Sequence, residues 1–212
     1  MIRPAALRLA AACLLFVLAL PSAAAPIQVN LDRAAVAEAL RVGRSSGPAV
    51  LEPFHAAYRV PVDDPVVREV EVVTEFRRLV QLTEERERLR DASWDEARAV
   101  NAASAFRGLV DVAVRLQFSP QNTYRSTPNY SLVVYGRREG RGPSSAILPV
   151  DSRSRSAYVS GQPAPPGTPI LAATVTATFD AARLARPGHH LVGILLDGRE
   201  VRRVAVDFGS LR

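Results

Sequence analysis

Apolar and polar positions alternate most cleanly toward the C-terminal end of the chain. Leu171, Ala173, Val175, Ala177 and Phe179 share one parity and Ala172, Thr174, Thr176 and Thr178 the other. That period of two is the signature of a strand with one buried face. Leu191 to Leu196 is almost wholly apolar, Asp197-Gly198 follows, and Val204, Val206 and Phe208 alternate with Arg203, Ala205 and Asp207. Asp-Gly between two strand-like runs predicts a hairpin, because both turn positions need positive φ. Val201 sits out of register, so a bulge is expected near Arg202. Upstream, Val110, Val112, Val114, Leu116 and Phe118 alternate with Asp111, Ala113, Arg115 and Gln117, a strand running from Leu109. Tyr130–Tyr135 reads as another, with a shorter one over Ala146–Val150. Residues 151–169 are rich in Ser, Pro and Gly, with Tyr158 and Val159 as anchors. They are expected to form a long flexible loop.

The N-terminal half has a longer period. Ile27, Val29 and Leu31 alternate as a short strand, after which Asp32 caps a helix running through Val42, with Gly43 past its end. Residues 44–48 form a loop, and Tyr58, Val60 and Val62 share the face of a weak strand. Asp63-Asp64-Pro65 is a helix-start signal. Val66, Val70, Val73, Phe76 and Val80 then recur at helical spacing. The alternation Val70-Glu71-Val72 competes, but the spacing favours a helix, with Glu69, Glu75, Arg77 and Arg78 on its solvated faces. Glu84 to Arg90 reads as the charged helix end, and Glu84 and Arg88 are an i,i+4 pair. Ser93-Trp94-Asp95-Glu96 matches a capping box, opening a helix with Ala97, Val100, Ala103 and Phe106 that Gly108 stops. The two helices predict an antiparallel hairpin whose Ala-rich second helix packs on something flat, such as the sheet.

The expected fold is therefore α+β: a mixed segment over 25–64, a helical hairpin over 65–107, and a β region over 108–212. Alternating strands joined by hairpins and loops point to an antiparallel β-sandwich of immunoglobulin-like architecture, although the Cys…Trp…Cys core is missing.

Residues 1–24 stand apart. Arg3 and Arg8 precede the apolar run Leu9 to Leu20, and Ser22-Ala23-Ala24 supplies a small-residue cleavage site. This is the pattern of a signal peptide cut before Ala25, and it predicts a secreted or periplasmic protein. The run is too short to span a bilayer, and no transmembrane segment is expected after cleavage. Cys13 lies too early in the run for a lipoprotein box. It is the only cysteine, so disulfide chemistry leaves with the signal. The remaining ~188 residues suffice for a real core. All 27 basic residues are Arg, and the formal charge of +6 falls by two with Arg3 and Arg8. With abundant Ala, Gly, Pro and Val, the absence of Lys reads as coding bias. The charge then reads as solubility, with no nucleic-acid partner.

Candidate chemistry is sparse. His55, His189 and His190 are the only histidines. The adjacent pair would point to opposite faces of a strand, so it decorates the turn after Pro187-Gly188 and binds no metal. No nucleophile elbow, HExxH helix or phosphate loop is present, so no cofactor and no catalytic residue is assigned. Asp63, Asp64, Glu84, Glu85, Asp95 and Glu96 are carboxylates with simpler duties as caps or solvated helix positions. Arg137, Arg138 and Arg141, with Tyr124 and Tyr158, form the one candidate binding cluster: basic and aromatic side chains on loops. The reading that follows is an exported, non-catalytic structural or protein-interaction module of the envelope or periplasm, with an envelope or secreted protein as partner. The alternative is a carbohydrate-binding module or weak carbohydrate-active hydrolase, with polysaccharide as ligand and the tyrosines as stacking surfaces.

Overall fold

A computed structural model describes residues 27, 30–45, 47–136, 145–157, 168–185 and 190–212. The elements run α1 (Arg33–Gly43), α2 (Pro48–Ala56), β1 (Arg59–Pro61), β2 (Val67–Val73), α3 (Glu75–Arg88), α4 (Glu96–Ser104), β3 (Leu109–Gln117), β4 (Tyr130–Tyr135), β5 (Ala146–Ile147), β6 (Asp151–Ala157), β7 (Ala172–Asp180), α5 (Ala181–Leu184), β8 (His190–Leu196) and β9 (Arg199–Val206). Two antiparallel sheets result, one of five strands in the order β1-β2-β3-β7-β6, the other of four in the order β5-β4-β8-β9. The inward residues of both belong to one buried cluster. Val70, Val112, Val175 and Phe179 come from the larger sheet, and Val134, Val192, Ile194 and Val206 from the smaller. A second cluster lies among the helices, built from Val36, Leu40, Phe76, Leu79, Trp94 and Ala99.

The C-terminal hairpin forms as its sequence requires. Asp197 and Gly198 take φ of 51° and 78°. Ile194 pairs with Arg202 and Leu195 with Glu200, which leaves Val201 as the extra, bulged residue. The strands beginning at Leu109, Tyr130 and Ala172 also follow their alternation. Asp32 caps α1, accepting the Ala35 N–H at 2.7 Å.

Several elements differ from the sequence expectation. Residues 67–73 are a strand, not the first turns of a helix. Asp64 accepts the N–H groups of Val66 and Val67, both at 2.8 Å, and so turns the chain into β2. Flanking ladders to β1 and β3 then bury Val67, Val70 and Val72. The β-branched content of the run suits a pleated surface, and pairing on both sides outweighs the helical spacing. The helix starts only at Thr74, whose hydroxyl accepts the Arg77 N–H at 3.2 Å.

Residues 48–56 are helical, with Pro48 at the first turn. Asp151–Ala157, expected to be flexible, is an edge strand paired with β7 over seven residues. Residues 151–155 are exposed, so backbone bonds to β7, with polar contacts from Arg153 to Asp111 and Ser156 to Thr127, hold it, and these leave no hydropathy signal. Asp95 rather than Ser93 caps α4, taking the Arg98 N–H at 2.9 Å. The Ser93 hydroxyl instead meets Asp91 and the Arg98 guanidinium.

Of the strand expected over 27–31, residues 28 and 29 lie outside the described residues, and Ile27 and Leu31 are not in a strand. The Ala-rich face of α4 packs on helices, not on a sheet: Ala99 joins the cluster that α1 and α3 form. Gly43 is the last residue of α1 rather than a cap beyond it. It is glycine because α3 crosses it, since a Cβ there would lie 2.6 Å from Thr83 Cβ and 2.8 Å from the Val80 carbonyl oxygen.

Among the described residues, no helix is long and apolar enough to cross a membrane.

Candidate interaction groove

Where β2 gives way to α3, the change from period 2 to period 3.6 rotates Glu75 and Arg77 inward, although alternation along the helix had placed both in solvent. Arg77 is fully buried. Its Nη1 donates to the Val72 carbonyl at 2.6 Å, its Nη2 to Glu71, and its Nε to His55 Nδ1 at 3.4 Å, while the guanidinium lies 4.9 Å from the centre of the Tyr58 ring. His55 Nε2 in turn meets Glu84 Oε1 at 2.6 Å. With Nδ1 accepting from Arg77, the proton sits on Nε2 and the ring donates to Glu84. Both ring nitrogens are thereby committed to tying α2 to α3, and neither faces a nucleophile. Asp111 is the second buried charge. It accepts from Thr178 Oγ1 at 2.7 Å and Arg153 Nη2 at 3.0 Å, and Arg78 Nη2 lies 2.6 Å from it.

Glu75 is different. It is 3 % exposed, and among the described residues its two carboxylate oxygens receive only the backbone N–H groups of Leu31 and Gly108, each at 3.4 Å. Burial pushes its pKa up; the two N–H bonds and the charge of Arg107 oppose that. The carboxylate forms part of the lining of a groove of about 730 Å³ between α1, the start of α3, and α4. Its apolar lining is Leu31, Val36, Ala97, Val100 and Ala103. The groove exists because α4 places small side chains here, which leave space between helices that larger residues would fill. Val100 is 41 % exposed on its wall. Arg33 of α1 reaches Glu96 of α4 with Nε to Oε1 at 2.6 Å. Asp95 is engaged as the α4 cap.

The binding cluster expected from the sequence is not assembled among the described residues. Tyr158, Arg137, Arg138 and Arg141 lie outside them. Tyr124 is 43 % exposed on the loop after β3, its ring edge-on to Phe118 at 5.2 Å, and its carbonyl accepts the Ile170 N–H at 2.9 Å. Tyr130 packs partly against the sheet core, whereas Tyr135 lies on the other face of β4, under Arg203 at 4.6 Å. These three tyrosines therefore share no flat exposed face. His190 does not decorate a turn; it opens β8, buried and edge-on to Phe208 at 5.2 Å. His189 lies outside the described residues. Among the described residues, no group of three or more His, Cys, Asp or Glu side chains is placed to hold a metal.

Comparison of the chain with protein-family models, with curated proteins and with solved structures finds no match. Sequence reasoning missed Glu75 because its inward turn depends on where β2 ends. The available signal was Thr74-Glu75, a capping residue followed by an acid in the first turn.

Proposed function

We propose that the chain is an exported, non-catalytic interaction module of the cell envelope or periplasm, which docks a protein partner in the groove between α1, α3 and α4. The observation that carries this is the groove itself: apolar walls, an exposed valine, and a buried carboxylate lacking a counterion among the described residues. Its described lining contains no Ser, Cys, His or Lys, and the acids beside Glu75 are occupied, Glu96 by Arg33 and Asp95 by its cap. That lining also offers no aromatic platform, which favours a protein over a sugar. The expected export signal, residues 1–24, supports the compartment.

An immunoglobulin-like β-sandwich belongs to the same proposal. It is supported by strand order: β2-β3-β7-β6 and β5-β4-β8-β9 follow, in chain order, the A-B-E-D and C′-C-F-G sheets of that architecture. On this reading α3 and α4 are an insertion between its first two strands, and they carry the docking surface.

The test is a pull-down of the tagged mature protein from its native envelope fraction, beside Val100→Arg, a surface change that leaves the core intact. The proposal expects a stoichiometric partner that wild type retains, soluble polysaccharide does not displace, and Val100→Arg loses. Equal capture by both proteins, or elution by polysaccharide, overturns it.

A further inference from the structure

We propose that the groove receives a lysine side chain of the partner protein, its ammonium on the Glu75 carboxylate and its alkyl stem along Leu31, Val36 and Val100. The inference rests on the docking reading above and names what the groove takes.

Charge matching singles out Glu75. Three fully charged side chain types are buried among the described residues: Arg77, Asp111 and Glu75. Arg77 meets Glu71, and Asp111 meets Arg78 and Arg153. Among the described residues Glu75 alone of the three has no cation at ion-pair distance, and it lines an open groove. A buried carboxylate without a counterion is costly, and it is normally paired or replaced by a neutral residue. The nearest basic residues do not fill this role. Arg33 is engaged by Glu96 at 2.6 Å, and Arg107, which also lines the groove, opposes the rise of the Glu75 pKa through its charge but forms no ion pair with it among the described residues.

The shape of the site selects the cation. An apolar wall followed by an anion matches an alkyl stem with a charged head, as a lysine presents when its methylenes are buried. Each carboxylate oxygen already takes one backbone N–H, so the paired positions that a guanidinium fork would use are partly filled. A compact ammonium needs only one approach direction. The chain contains no lysine of its own, so the residue has to come from another molecule.

The probe is n-butylammonium chloride, titrated into the ¹⁵N-labelled mature protein, with sodium chloride at equal ionic strength as the control. The amide resonances of Leu31 and Gly108 report directly, since both donate to Glu75. The proposal expects saturable shifts of these two amides with butylammonium only, and an apparent affinity about tenfold weaker in Glu75→Gln. Shifts that match sodium chloride, or that survive Glu75→Gln, overturn it. The wild-type titration stands even if the variant folds poorly. To separate the two proposals, the captured partner is treated with a zero-length carbodiimide. An amide between Glu75 and a partner lysine supports the inference. Partner capture that depends on Val100 but not on Glu75, or an amide from Glu75 to the chain's own N-terminus, overturns the lysine and leaves the docking groove standing.

Discussion

Replacing Gly43 by Ala sets two physical effects against each other with opposite signs. Helix propensity alone favours Ala over Gly by up to about 1 kcal/mol. The structure opposes it: the new methyl would sit 2.6 Å from Thr83 Cβ and 2.8 Å from the Val80 carbonyl. The first of these falls short of the ~3.5 Å optimum for carbon contact by about 0.9 Å. One obstacle is backbone, so no rotamer change removes it, and α1 has to move off α3. Overpacking of this kind costs about 1–3 kcal/mol. The shift also disturbs Thr83, whose hydroxyl accepts from Trp94 Nε1 at 3.1 Å and donates to the Leu79 carbonyl at 2.9 Å. Losing the first of these bonds adds about 1 kcal/mol. We therefore expect Gly43→Ala to destabilise the fold by about 1–3 kcal/mol net. Urea unfolding followed by Trp94 fluorescence is the direct assay, since Trp94 is the only tryptophan, is buried, and sits against the disturbed site. With a slope of ~2 kcal/mol/M the midpoint should fall by about 0.5–1.5 M. Gly136→Ala is the control: its Cβ meets nothing within 4 Å, and its effect should stay within about 0.5 kcal/mol. A Gly43→Ala midpoint equal to or above wild type would refute the close-crossing argument.

Three further outcomes are expected. Arg77→Met strands the Val72 carbonyl and Glu71 and should cost about 3–5 kcal/mol; adding Glu71→Leu should recover much of it, and additive losses in a double-mutant cycle would contradict the pairing. Because burial raises the Glu75 pKa, the folded state binds that proton more tightly than the unfolded chain. The resulting stability is complete below the unfolded value near ~4.3 and is lost as pH rises through the folded value. In the absence of a partner, Glu75→Gln should therefore melt above wild type at pH 7 and lose that advantage toward pH 4; a lower melting temperature at pH 7 would contradict the burial argument. Finally, N-terminal sequencing of the exported product should begin at Ala25, and an intact Met1 in the envelope fraction would remove the export reading.

What the sequence determined by itself was local. Period-2 alternation around Val112 and Val175, the Asp197-Gly198 turn, the Val201 bulge and the Asp32 cap all depend on neighbours a few residues away, and each formed as read. Tertiary structure decided the rest. Residues 67–73 carry spacing that suits either helix or strand, and only β1 and β3, one on each side, select the strand. That choice moves the helix start to Thr74, and with it turns Glu75 and Arg77 from solvent into the interior. Strand β6 shows the same dependence from the other side: residues 151–155 are exposed, and its order comes from the β7 backbone and from Asp111, both distant in sequence. The candidate site was illegible for this reason. Its carboxylate and its walls come from three separate segments between Leu31 and Arg107, its Arg33–Glu96 pair spans 63 positions, and no local pattern records which of them face each other.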